Sequence, residues 1–115
     1  MTFRDTLWNH NKLAFFFDSY FKDPKFTVAT HGNVNIGTTS GVVVNANPNR
    51  KYLLIVNDSS TKAYTAIGQV AAQNKGIQLA ADGGYYEMTF LNLATGTISA
   101  ITSVASVNLS WMEGQ

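Results

Sequence analysis

The fold is decided by residues 40–57, SGVVVNANPNRKYLLIVN, in which two apolar runs flank a turn. The first run, 40–45, has the valines of a β-strand. Asn47-Pro48-Asn49 then reverses the chain, because proline presets φ and asparagine side chains bond their own backbone. The second run, 52–57, is apolar almost throughout, which is typical of a strand that is buried on both faces. Two strands joined by a tight turn indicate a β-rich protein.

Similar runs recur at intervals of about ten residues along the rest of the chain. The predicted strands are 26–30, 40–45, 52–57, 63–67, 76–79, 85–90, 97–101 and 104–111. Asp82-Gly83-Gly84 predicts a tight turn, because glycine accepts positive φ, and 70–75 is either one helical turn or a loop. About seven to nine short antiparallel strands are typical of an all-β sandwich or a small barrel. We predict a jelly-roll-like antiparallel β-sandwich.

Composition excludes several classes of protein. The chain has 115 residues, 45% apolar and 13% charged, with a net charge of +1 and no cysteine. Disulfides, thiolate zinc sites and cysteine nucleophiles are therefore excluded, and the low net charge argues against nucleic acid as a partner. No apolar run reaches the roughly 18–20 residues of a membrane span. Residues 1–10 lack the charge and apolar order of a signal peptide, so we expect synthesis in a host cytoplasm.

The composition divides the chain into an N-terminal arm, residues 1–24, and a sandwich body, residues 25–115. Eight of the 14 aromatic residues fall in the first 26 positions, and the apolar spacing in 12–22 predicts a short helix that ends before Pro24. The candidate interface residues of the arm are Trp8, Leu13, Phe15, Phe16, Phe17, Tyr20 and Phe21. Such a surface must be covered, either by the chain's own sandwich or, as we favour, by a neighbouring subunit or another protein.

No arrangement of residues predicts chemistry. The two histidines, His10 and His31, are far apart and have no paired carboxylates beside them, so no metal site is predicted. We expect His31 to lie in a turn with the two residues that follow it. Asp82 and Glu87 are the one carboxylate pair considered for glycoside hydrolysis, and we do not expect them to act so. The prediction is therefore a protein that is not an enzyme, with no catalytic residue and no cofactor.

Two charged positions of the body have specific expectations. Arg50-Lys51 follows a turn and precedes a strand, which predicts a solvated strand end. Glu87 alternates with apolar neighbours in 85–90, so it faces away from them, toward solvent or a partner.

From Val43 onward the sequence resembles a family of small bacteriophage virion proteins. The resemblance rests on the ordered segments VVNANPNRKYLLIVN (43–57), AYTAIG (63–68), GIQL (76–79), GGYYE (83–87) and GTISAI (96–101), roughly half of the chain. Two turns carry most of it, and their residues are Asn47, Pro48, Arg50, Lys51, Gly83, Gly84 and Glu87. Segment 64–68 is not a close copy of the family pattern, and the arm has no counterpart. The resemblance implies a β-sandwich module without catalytic residues.

The expected function is that of a non-enzymatic virion structural protein, a capsid decoration or cement protein that packs on the phage head shell and is anchored by its arm. The expected partners are the major capsid protein or another virion protein, together with further copies of the chain, with a trimer favoured and with no nucleic acid or membrane. The alternative is a fibre, spike or tail-associated module that binds a host receptor or glycan, on which Tyr52 or Tyr85 would stack.

Overall fold

Alternating apolar and polar side chains produce eight strands in the computed structural model, which describes residues 26–115. The strands are β1 (Ala29–Ile36), β2 (Gly41–Val44), β3 (Tyr52–Asn57), β4 (Ala63–Ile67), β5 (Ile77–Leu79), β6 (Tyr85–Met88), β7 (Ile98–Thr102) and β8 (Val107–Gly114). They form two antiparallel four-stranded sheets. The predicted all-β sandwich is confirmed. The predicted arm and its helix lie outside the described residues.

The strands pair in a nested order. Sheet A has the order β1-β8-β3-β6, and sheet B has the order β2-β7-β4-β5. The pairs β1·β8, β2·β7, β3·β6 and β4·β5 are all antiparallel, like the rungs of one long hairpin. Within this part of the chain, only β4 and β5 are consecutive strands of one sheet. The other connections therefore cross the sandwich and bring residues that are distant in sequence together.

The core lies between the inner faces of the two sheets. In β8 the inward positions Val107 and Leu109 are buried, while Asn108 and Ser110 face outward and are half-buried. This is the period of two that the sequence of this segment predicts. The buried apolar core consists of Ile36, Val43, Val44, Leu53, Ile55, Ala63, Leu79, Met88, Ile98, Ala100, Val107 and Leu109.

The prediction that β3 is buried on both faces is wrong. Leu53 and Ile55 point into the core with no exposed surface, but Leu54 and Val56 lie on the outer face of sheet A and are half-buried. An uninterrupted apolar run does not distinguish a strand covered on both faces from one with an apolar outer face. β3 therefore presents apolar side chains on the outside of the sandwich.

The turn predicted around His31 is also wrong, because residues 31–33 lie in the middle of β1. Gly32 pairs directly with Trp111. A Cβ at position 32 would lie 2.9 Å from the Trp111 indole ring, so the glycine makes room for a neighbouring strand and does not mark a chain reversal.

Residues 68–76, between β4 and β5, form a loop without a helical turn. The Ala71 N–H donates to Ser40 Oγ at 2.9 Å, and Gln73 Nε2 donates to the Thr102 carbonyl at 2.5 Å. Ala71 is buried in a second apolar cluster with Tyr64, Ala66 and Ile101, which lies on the outer face of β4 and β7. Sheet B is thus covered by its own loop.

Candidate functional site

Arg50 ends the turn that joins β2 to β3, and only 2% of its surface is exposed. Its Nε donates to Glu113 Oε2 at 2.7 Å, which forms a buried ion pair with β8. Its Nη1 donates to the carbonyls of Ala94 at 2.7 Å and Gly96 at 3.0 Å, and Nη2 donates to the Asn45 carbonyl at 2.7 Å. The solvated strand end predicted for Arg50 is wrong, because these acceptors replace water around the guanidinium.

Asn47 completes this group from the same turn. Its Nδ2 donates to Glu113 Oε1 at 3.1 Å and to Gln115 Oε1 at 2.9 Å, and its Oδ1 accepts from the Asn49 N–H at 2.9 Å. We call Asn47, Arg50 and Glu113 the arginine cluster. Arg50 and Asn47 occupy both carboxylate oxygens of Glu113, so the cluster joins two loops to the last strand instead of holding these groups ready for a ligand.

Two other residues of this turn have different positions. Pro48 is exposed. Lys51 is half-buried, and its main-chain N–H donates to the Gly114 carbonyl at 2.8 Å. The first turn singled out by the sequence is therefore a structural connection to the end of β8.

The second turn, at Gly83 and Gly84, lies at the other end of β3. Gly83 has φ +102°, a left-handed conformation that favours glycine. The Gly83 N–H donates to the Asn57 carbonyl, and the Asn57 N–H donates to the Gly84 carbonyl, both at 2.8 Å. A Cβ at Gly84 would lie 2.2 Å from the Ala80 carbonyl oxygen. Both glycines therefore serve the connection between β5 and β6.

The outer face of sheet A has a polar and an apolar part. Its outward side chains are His31, Asn33 and Asn35 of β1, Asn108, Ser110 and Met112 of β8, Tyr52, Leu54 and Val56 of β3, and Tyr85 and Glu87 of β6. We call Tyr52, Leu54, Val56, Tyr85 and Met112 the apolar strip. Tyr85 is 67% exposed and the others are half-buried, so the strip remains accessible where sheet B is covered.

Phe26 lies at one end of the apolar strip. Its ring stacks on Tyr52, with the ring centroids 5.3 Å apart and the planes at 28°. It also lies over Gly114, where a Cβ would come within 2.4 Å of the phenyl ring. Phe26 keeps 38% of its surface exposed, so it lengthens the strip toward the arginine cluster.

Glu87 faces outward, as the alternation in β6 predicts, and is exposed. Its Oε2 accepts a hydrogen bond from the Tyr52 hydroxyl at 2.5 Å. This bond, then burial and the negative charge of Glu87, raise the pKa of Tyr52 to about 12. The pair fixes the Tyr52 ring at the border of the apolar strip.

The polar part of the outer face is bonded sideways across the strands. The Ser110 hydroxyl donates to Asp58 Oδ2, and Asn108 Nδ2 donates to the same oxygen at 3.4 Å. Asn33 Nδ2 donates to Asn108 Oδ1 at 3.2 Å. These bonds tie β1 and β8 to the turn after β3.

The described residues offer little material for a reaction centre. Within 26–115 no three histidine, cysteine or acidic side chains are grouped so that they could hold a metal ion. His31 is exposed on β1. Asp82 lies in the turn before β6, where its main-chain N–H donates to the Ser59 carbonyl at 2.7 Å, and Glu87 is bonded to Tyr52. No helix of residues 26–115 has the length and apolar character needed to cross a membrane.

Glu113 is the functional-looking residue that the sequence reasoning missed. The signal was present, because Glu113 continues the inward series Val107, Leu109 and Trp111 in β8. A carboxylate on an inward face requires a buried partner, and Arg50 supplies it. The pair is separated by 63 positions, so only the strand order identifies the partner.

The predicted interface residues Trp8, Leu13, Phe15, Phe16, Phe17, Tyr20 and Phe21 lie outside the described residues. Comparison of the chain with protein-family models, with curated proteins and with solved structures finds no match.

Proposed function

We propose that the chain is a non-enzymatic structural protein of a bacteriophage particle, which packs on the head shell as a decoration or cement protein. The observation that carries this proposal is the apolar strip on the outside of sheet A. Contiguous exposed apolar surface at the outside of a small domain is typical of a protein interface. The strip is central on its sheet, since β3 and β8 are the two inner strands.

The strand order supports the same function. Nested pairs in two four-stranded sheets are the arrangement expected for a jelly roll, a fold used by viral capsid and lectin domains. A fold alone does not decide function, so the order only favours the classes that the interface suggests.

The charge distribution on the outer face of sheet A favours packing over the capture of a charged substrate. Apart from His31, the one titratable side chain on this face that is charged at neutral pH is Glu87, and Tyr52 binds it. A face with so little charge creates a weak field, and depletion of charge is a property of interface centres.

The remaining parts of the proposal come from the sequence. Residues 1–24 are proposed as the anchor, because their aromatic density exceeds what a small body can cover. The proposed partners are the major capsid protein and further copies of this chain, in a trimer or another ring. The proposed location is the phage particle.

The test is binding of the full chain to head shells assembled from the major capsid protein of the same phage, measured by co-sedimentation. Leu54→Lys places a charge in the apolar strip and is expected to reduce binding at least tenfold. Asn35→Lys places the same charge on the polar part of the same face and is expected to leave binding unchanged. Equal binding by both folded variants, or none by the unaltered chain, would contradict the proposal.

Glycan binding is a second candidate, favoured by Tyr85. This ring is 67% exposed at the start of β6, and exposed aromatic rings stack on sugars. Binding of host-surface polysaccharide to the isolated protein, abolished by Tyr85→Ala and kept by Tyr85→Phe, would support it. Absence of binding would exclude it.

A further inference from the structure

The four edge strands of the sandwich differ in how they are protected. Natural edge strands avoid pairing with other chains by shortness, bulges, charges or proline. β5 has three residues, and β6 has four residues including Glu87. β2 has four residues, and its register shifts between Val42 and Val44.

β1 has none of these protections. It is an edge strand of eight residues, ATHGNVNI, with no proline and no lysine, arginine or acidic residue. Its register with β8 is continuous over eight pairs, from Ala29↔Gly114 to Ile36↔Val107. β1 is thus a long, regular and uncharged edge.

The hydrogen-bond pattern shows which groups of β1 face outward. Val28 and Gln115 exchange both main-chain hydrogen bonds, at 2.9 and 3.2 Å. Because bonded and non-bonded pairs alternate in antiparallel sheets, residues 30, 32, 34 and 36 bond to β8. The N–H and C=O groups of Ala29, His31, Asn33 and Asn35 therefore point away from the sheet.

We infer that the β1 edge pairs with the β1 edge of a second copy of this chain, antiparallel and about a two-fold axis. The outward groups are symmetric about Gly32, so they match themselves when the strand is turned around. His31 then exchanges both main-chain hydrogen bonds with Asn33 of the second copy, and Ala29 exchanges both with Asn35. The two A sheets become one sheet of eight strands.

The side chains permit this register. Gly32 of each copy meets Gly32 of the other at the axis, where the absence of side chains lets the strands approach. His31 and Asn33 stand opposite each other on the outer face, and neither is acidic, so no carboxylate pair repels across the axis. The second copy is the occupant favoured here because an antiparallel pair of this kind satisfies the same groups on both partners.

This inference does not depend on the proposed function, because it concerns the β1 edge and not the apolar strip. The test is the mass of the full chain in solution, measured by light scattering over a range of concentrations. The unaltered chain is expected to reach twice the monomer mass. Asn33→Pro removes an outward N–H that β8 does not use, and proline is tolerated at such edge positions. By symmetry it removes two hydrogen bonds from the dimer and is expected to leave a monomer.

Asn33→Ala is the matched control. It loses the same side-chain bond to Asn108 as the proline variant, but it keeps the main-chain N–H, so it is expected to remain a dimer. A monomeric unaltered chain would overturn the inference. So would an oligomer that persists in Asn33→Pro, or one that both variants dissociate.

Amide hydrogen exchange of the unaltered chain gives an independent test, which remains decisive if Asn33→Pro fails to fold. At high protein concentration the amides of His31, Asn33 and Asn35 are expected to exchange at least tenfold more slowly than at low concentration. The amides of Gly32 and Val34 bond to β8 and should stay protected at both concentrations. Equal exchange of the outward amides at all concentrations would overturn the inference.

Discussion

Arg50 connects three segments of the molecule through one planar group, so its removal tests the arginine cluster directly. Arg50→Met leaves the Glu113 carboxylate in a site where only Asn47 still donates to it. Breaking a buried ion pair on one side typically costs about 3–5 kcal/mol. We expect a loss of this size in the free energy of unfolding, measured by urea denaturation.

The double variant Arg50→Met with Glu113→Gln controls for the charge. The amide keeps an acceptor for Asn47 but removes the buried negative charge, so the double variant should be more stable than Arg50→Met alone. A loss below about 1 kcal/mol for the single variant would mean that water readily replaces the guanidinium. A double variant less stable than the single one would show that packing, and not charge, dominates this site.

Tyr52 gives a prediction in pH. Its pKa is raised from 10.0 to about 12 in the folded protein, so folding favours the protonated phenol. The stabilisation is fully present below pH 10 and is lost as the pH rises from 10 to about 12. Ultraviolet titration of tyrosinate should show a late-titrating phenol in the native protein, together with stability that falls through this interval.

Glu87→Gln is the control for this titration. The Glu87 carboxylate is the largest cause of the raised pKa, since it accepts the phenol proton and adds negative charge. The variant should shift the late titration toward 10. A late titration that is unchanged in Glu87→Gln would assign it to another tyrosine or to burial alone.

At the scale of elements, the connection between β5 and β6 is the one with least room for change. A Cβ at Gly84 would lie 2.2 Å from the oxygen and 2.4 Å from the nitrogen of Ala80. Because these are backbone atoms, Gly84→Ala requires the turn to move, and we expect it to cost about 1–3 kcal/mol. Gly96→Ala is the control, because its nearest neighbour would be the Gly68 Cα at 3.5 Å. Thermal unfolding that affects both variants equally would contradict the argument.

The elements also show how far the sequence determines the structure. β4 has its predicted bounds, because its apolar run has turn residues on both sides. β1 was predicted too short, because histidine, glycine and asparagine resemble a turn until Trp111 is placed beside Gly32. The Glu113 partner of Arg50 could not be predicted, because local patterns give the face of a strand and not the strand opposite it.

At the scale of the whole molecule, the described residues form a body that closes on itself. The core of residues between Ile36 and Leu109 is buried, and no buried side-chain nitrogen or oxygen of residues 26–115 lacks a hydrogen bond. We therefore expect residues 26–115, produced without residues 1–25, to fold. Circular dichroism should show a β-spectrum and a cooperative thermal transition, and its absence would make residues 1–25 part of the core.

A shorter chain, residues 30–115, controls for the edge of this body. It lacks the stack of Phe26 on Tyr52 and the bonds of Thr27 and Val28 to Gln115. Each 1 kcal/mol lost shifts Tm by about 4–8 °C in a domain of this size, so we expect residues 30–115 to unfold several degrees below residues 26–115. Equal transitions would mean that Phe26 adds no stability to the sandwich. Its exposed ring would then be available to a partner, as the packing role proposed for the apolar strip requires.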